Sequence, residues 1–206
     1  MTVLAFGITL NTKTGLGVSP IISVAYSVSR IFSLNFGDMT FALYVLFVLV
    51  QLVLRSKSER AATLLQIVVS LIFSRLLNLF DVLIPYSGAE HGLAANMVLL
   101  AAAIFLTGRG IAMTVNMRLV PNPGDGIVQA IAEKIGRSQG FTKNIFDIGC
   151  VCTTAVVGLC FAGEVTGIGV GTIAAMIGVG RAVSLVNGLL QDKMLAAAGV
   201  AARGKA

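Results

Sequence analysis

Three arginines, Arg75, Arg109 and Arg181, stand inside otherwise apolar runs of this 206-residue chain. A guanidinium at bilayer depth costs about 2.5–3.5 kcal/mol on insertion scales, so each is expected to face the interior of a helix bundle. There it would hold the anionic group of a solute. The alternatives are a snorkelling side chain, or a structural lock onto Asp147 or Asp81. Arg75 reads as the deepest of the three. A second chemistry is carried by two loops, Thr14-Gly-Leu-Gly-Val-Ser-Pro20 and Val120-Pro-Asn-Pro-Gly-Asp-Gly126. Gly15 and Gly17 permit left-handed backbone, while Pro20, Pro121 and Pro123 withdraw N–H donors. Each loop should end on the N-terminus of a short helix, capped by Ser19 in the first case and Asp125 in the second. Such a terminus attracts anions, which makes Gly15, Gly17, Ser19, Pro20, Asn122, Pro123, Gly124 and Asp125 candidate solute contacts. The competing reading is a plain re-entrant turn that closes packing, with the Asp125 carboxylate filling its own helix end.

Two pairs of amides, Asn11 with Asn116 and Asn78 with Asn187, recur at corresponding positions of the two halves. Inside a bundle they either contact a solute or bond across helices, for about 0.6 kcal/mol each. Little else suggests catalysis. His91 is the one histidine and sits in a polar loop beside Glu90. No metalloprotease, nucleophile-elbow or phosphate-loop pattern occurs, and Gly167-Ile-Gly-Val-Gly171 follows no strand, so it reads as a closely packed helix start. Cys150, Cys152 and Cys160 lie in one apolar run without zinc-ligand spacing and read as small apolar packers. No enzyme activity, cofactor or metal is expected.

The elements that must position these residues are membrane helices. The chain is 56% hydrophobic and 12% charged, with a mean hydropathy of +0.92. That is about half the charge of an ordinary soluble domain. The runs Met39–Leu54, Ala61–Tyr86, Leu93–Met117, Ile145–Ala162 and Ile168–Leu190 approach or reach the ~20 helical residues that cross a bilayer. The net charge of +6 forms no single basic face suited to nucleic acid; it falls between the apolar runs.

The chain also repeats itself. A shift of 105 positions aligns the two loops and matches Thr9, Asn11, Ile22, Ala25, Ser33, Phe36 and Phe41 with Thr114, Asn116, Ile127, Ala130, Ser138, Phe141 and Phe146. After a four-residue insertion, Thr63, Leu76 and Asn78 match Thr172, Leu185 and Asn187. Repeat 1 spans 1–86 and repeat 2 spans 93–194, with 195–206 as a cytoplasmic tail. The segments Ile21–Phe32 and Gly126–Ile135 are too short to span and read as re-entrant or half helices. Each half then has three spans, an odd number, so the second half is inverted. The first helix, Met1–Leu10, covers half a span, which points to a start codon assigned too late. On this topology ten basic residues (Arg55, Lys57, Arg60, Arg118, Lys134, Arg137, Lys143, Lys193, Arg203 and Lys205) share one side, and Lys13 and Arg30 take the other. The asymmetry gives six transmembrane helices in two inverted three-helix repeats, with both termini cytoplasmic.

The G-L-G-V-S-P loop, the second loop ending P-G-D-G and the late G-V-G-T resemble the bacterial YczE/YitT-type integral membrane protein family, from Gly15 to about Leu190. The resemblance implies a multi-pass protein of the bacterial cytoplasmic (inner) membrane and no defined substrate. The residues themselves suggest a small secondary transporter or permease for an anionic or zwitterionic solute. The alternatives are a substrate-capture subunit of a multi-component importer or a structural or signalling protein. Gly110, Gly178, Gly180 and Ala182 could then form a stripe for a partner helix. A homodimer fits, though no residue demands one.

Overall fold

The computed structural model describes residues 1–116 and 120–197, with the side chains of 192, 193 and 197 left aside. The described residues form eight α-helices and no strand: α1 (Thr2–Lys13), α2 (Pro20–Ile31), α3 (Phe36–Leu54), α4 (Arg60–Leu83), α5 (Leu93–Asn116), α6 (Pro123–Ile135), α7 (Gln139–Phe161) and α8 (Val170–Ala197). Local chemistry sets the ends. Prolines at the first helical position start α2 and α6, where the missing N–H is not needed. Asn35 and Ser138 cap α3 and α7 through their side chains, and Gly136 closes α6 in left-handed conformation.

Five helices, α3, α4, α5, α7 and α8, are long and apolar enough to cross a membrane. With 12 residues α1 is not, so five spans rather than the expected six meet the length criterion. Their polarity is arranged opposite to that of a soluble bundle. Val53, Val82, Val98 and Leu189 face outward, whereas Thr40, Gln51, Thr63, Gln66, Ser70, Ser74 and Thr154 are buried. Most of the buried hydroxyls return a hydrogen bond to a carbonyl three or four residues back on their own helix, as Thr9 does to Ala5, Thr40 to Phe36 and Ser74 to Leu71. An outer surface of this kind is stable only against hydrocarbon. The chain is a multi-pass helical membrane protein.

The packing pairs fall into corresponding sets. Helix α1 packs on α4 as α5 packs on α8; α2 packs on α7 as α6 packs on α3; α2 meets α3 as α6 meets α7; and α1 and α5 pack on each other. One pair breaks the correspondence. Helices α3 and α4 pack along their length, but α7 and α8 barely touch. Most of the small residues read above as a partner-binding stripe are spent inside. A side chain at Gly110 would collide with Leu4, Ala182 sits against Gly108, and Gly178 faces Ile104; only Gly180 looks onto open space.

The first Gly/Pro loop is clasped by the α7–α8 connection. Val18 N–H donates to the Gly167 carbonyl at 3.0 Å, and Gly171 N–H donates to the Leu16 carbonyl at 2.7 Å. Gly17 has φ +103°, and a Cβ there would lie 2.5 Å from Gly169 N. Gly15 has φ +69° with only Gly88 Cα near, at 3.8 Å. Gly17→Ala should therefore lower thermal stability by well over the ~1 kcal/mol scale of an ordinary loop substitution, because strain and collision add. Gly15→Ala should cost only the left-handed penalty, about 1–2 kcal/mol. Melting temperatures of the two variants in detergent, compared with wild type, check the ranking.

Candidate functional site

The two short helices begin beside one another. A Cβ on Gly124 would lie 3.2 Å from Ile21 Cγ2, so the first turns of α2 and α6 are in contact. Between them lies a cavity of about 50 Å³. Its polar lining is Ser19 and the α2 start, Asn122 and Asp125 from the α6 start, Tyr44 of α3, Thr107 of α5, and Lys143 and Asp147 of α7. Helices α1 and α8 close it with apolar residues, among them Leu4, Ile8, Ala175, Met176 and Val179.

Lys143 and Asp147 stand one helical turn apart, and the Lys143 ammonium donates to both carboxylate oxygens at 3.0 Å. The Asp147 side chain is 1% exposed and that of Lys143 33%. Burial of the carboxylate makes the pair geometrically demanding, since an isolated charge here would be costly. Asp125 has no ion pair or side-chain hydrogen bond among the described residues. The cavity thus holds two carboxylates against one ammonium.

Helix-terminus chemistry adds little attraction for an anion. Pro20 and Pro123 have no N–H. Asn122 is the cap of α6, its Oδ1 accepting from Gly124 N–H at 3.1 Å, so Asp125 is freed from the capping role expected of it. Ser19 occupies the cap position of α2 without a side-chain bond to the helix. The next N–H groups of both helices return to the carbonyls of Ser19 and Asn122, which leaves the Ile21 N–H as the one unspent donor among these first turns. Behind α6, Gln51 and Gln66 exchange reciprocal amide bonds of 3.1 Å, and Gln51 Nε2 also reaches the Pro123 carbonyl at 3.4 Å. A Cβ on Gly126 would lie 2.7 Å from Gln51 Oε1, so the buried amides fix the position of the α6 first turn.

The sequence-selected residues divide into three groups. Ser19, Pro20, Asn122, Gly124 and Asp125 gather at the cavity, with Pro123 beside them at the head of α6. Gly15 and Gly17 line a separate outer hollow with Tyr26 and Gly167. The arginines do not converge. Arg75 is exposed and pairs with Asp38 at 3.0 Å, and Arg109 and Arg181 lie on outward faces of α5 and α8. Nor do the expected locks form: Asp147 pairs with Lys143, and Asp81 with Lys13 at 2.8 Å. Arg181 lies eleven residues past the start of α8 at Val170, about 16 Å along the helix.

Three of the four amides bond within the protein. Asn116 donates to Asn187 Oδ1 at 2.7 Å across α5 and α8. Their first-half counterparts do not pair: Asn78 Oδ1 accepts from Gly37 N–H at 3.0 Å, and the buried Asn11 Oδ1 has no partner among the described residues. Of the cysteines, Cys150 is buried while Cys152 and Cys160 face outward, so packing describes only the first. His91 is exposed and stacks on Tyr86 with ring centroids 4.1 Å apart.

Sequence reading passed over Tyr44, Gln51, Gln66 and the Lys143–Asp147 pair. The available signal was the spacing: a lysine and an aspartate four apart, entering an apolar run, share one face of a helix. Lys143 had instead been assigned to the loop charges that set topology.

Fold and site together define a polytopic helical membrane protein with a small charged interior cavity. The chain belongs to the DUF6198 family, a family of unknown function, whose pattern matches residues 1–188. That match carries no YczE or YitT designation. No curated protein and no solved structure matches the chain.

Removing one member of the Lys143–Asp147 pair should destabilise the protein more than removing both. Lys143→Met alone strands a buried carboxylate, at a cost approaching the ~3 kcal/mol typical of broken buried pairs. Adding Asp147→Asn to it should recover much of the loss. A double-mutant cycle on melting temperature in detergent measures the difference, and additive effects would contradict the coupling.

Proposed function

We propose that this protein is a small secondary transporter or permease of the bacterial inner membrane, built as two inverted repeats of three spans. In this reading α2 and α6 are re-entrant half helices, both termini are cytoplasmic, and the solute sits between the two half-helix starts. The observation that carries the reading is the shared cavity: two interrupted helices begin on one partly open, charged space inside a lipid-facing bundle. Irregular backbone at that depth is tolerated where it lines a cavity, and discontinuous helices meeting near the midplane are a recurring transporter device. The correspondence of packing pairs between α1–α4 and α5–α8 supports the repeat.

The solute is small and carries positive charge, alone or as part of a zwitterion. The anionic alternative rests on arginines that line no part of this cavity and on two helix N-termini whose described donors are mostly spent. The inventory of two carboxylates and one ammonium favours a cationic group beside Asp125. The single unspent Ile21 N–H and the Ser19 hydroxyl suit the opposite end of a zwitterion. Size narrows the choice further. One water needs about 10–15 Å³ of such space, so about 50 Å³ takes a few waters or one small ion or amine, far from the volume of a vitamin. The cavity offers no nucleophile poised against a base, and the reading is of a carrier, not an enzyme.

The test uses purified protein in detergent with sodium, potassium, methylammonium, glycine and betaine as probes. At least one should raise the melting temperature of the wild type and of Arg75→Gln while leaving Asp125→Asn unmoved. If none shifts the wild type, or if all act equally on Asp125→Asn, the assignment fails.

A further inference from the structure

The break in the packing correspondence leaves a groove. Where α3 and α4 close on each other, α7 and α8 stand apart, and the space between them, about 520 Å³, is lined by Asn144, Ile148, Met176, Ile177, Gly180 and Arg181. Met176 also lines the central cavity, so one side chain separates the two spaces. The groove opens on the outer, apolar face of the bundle, flanked by exposed Ile145, Ile173 and Leu185.

Arg181 makes this space more than a packing fault. It is exposed, eleven residues into α8, and has no acidic partner among the described residues. Arg75, by comparison, is neutralised by Asp38. Arg109 lies seven residues, about 10 Å, before the end of α5. A bare guanidinium facing hydrocarbon is unfavourable and is relieved by snorkelling or by an anion, and the groove beside Arg181 has room for one. A second copy docked groove to groove supplies none, because the described lining of the groove carries no acid.

We propose that the α7–α8 groove binds a phosphate-bearing membrane lipid. Arg181 and the Asn144 amide hold the headgroup phosphate, and the apolar walls of Ile148, Met176 and Ile177 take the upper acyl chain. An arginine fork matches phosphate geometry and gives a charge-assisted contact. The Arg181 side chain reaches along the groove toward the headgroup level, and the acyl chain fills the gap. The inference stands on Arg181 and the groove alone and does not depend on the transport reading.

Native mass spectrometry of the whole protein tests it, with dioleoyl phosphatidylglycerol, uncharged dioleoylglycerol and soluble glycerol phosphate as probes. The wild type should retain phosphatidylglycerol and neither of the others. Arg181→Gln should weaken retention by about tenfold or more, while Arg109→Gln keeps it. Gly180→Leu is the second variant and leaves the charge in place. A Cβ at Gly180 meets nothing within 4 Å, and the repeat places Leu71 at the corresponding site of α4, so the variant should fold and obstruct the groove. Equal retention by wild type, Arg181→Gln and Gly180→Leu would overturn the proposal. So would competition by glycerol phosphate at equal strength, or a lipid-free dimer that Gly180→Leu dissociates.

Discussion

Backbone satisfaction in hydrocarbon governs this structure. A bilayer offers no water to the N–H and C=O groups at a helix end, so each end inside it must be met by protein. Two of the eight helices begin in the interior, and much of the buried polarity answers to that. Gly167 and Leu16 tie the first loop to the α7–α8 connection by main-chain bonds, and Asn122 caps α6. The Gln51–Gln66 pair braces the α6 first turn, and Asn78 takes the Gly37 N–H in the first turn of α3. The buried hydroxyls that return to their own helices complete the same requirement. What reads in the sequence as scattered polar residues is largely a set of partners for interrupted backbone.

That constraint also decides the chemistry of the cavity. Because Pro20, Pro123 and Asn122 consume nearly all the donor capacity of the two helix starts, the positive ends that would otherwise attract an anion are mostly closed. Side-chain charge then dominates. Lys143 bonds Asp147, and Asp125 has no ion-pair partner among the described residues. The proposed preference for positive charge rests on the same prolines and cap that allow the helices to begin there.

Much of the architecture was legible beforehand because it is written in hydropathy and in Gly/Pro punctuation. The long helices follow the apolar runs, with ends displaced by a few residues, as where α7 begins at Gln139 instead of Ile145. The two loops were found by spelling alone, and five of their residues do meet at the cavity. The arginines misled because depth along a helix says nothing about facing: Arg75, Arg109 and Arg181 lie within apolar runs but on outward faces, a rotational property that a sequence with polar residues on several faces does not disclose. Lys143 and Asp147 were hidden for the opposite reason, since a lysine near a run's end looks like a topology signal until the partner one turn later is counted. Gln51 and Gln66 could be paired only by knowing that α3 and α4 run side by side.

The central claim is that the space between the α2 and α6 starts opens to water during a working cycle. Substituted-cysteine labelling at position 125 tests it most directly, with Cys150, Cys152 and Cys160 first changed to alanine and the protein in sealed membrane vesicles of known orientation. A small membrane-impermeant thiol reagent should modify Asp125→Cys, and the same reagent should leave Val48→Cys, in the closed core of α3, untouched. Labelling at 125 as slow as at 48, from both faces of the membrane, would mean that the cavity stays sealed and that its charges serve the fold alone.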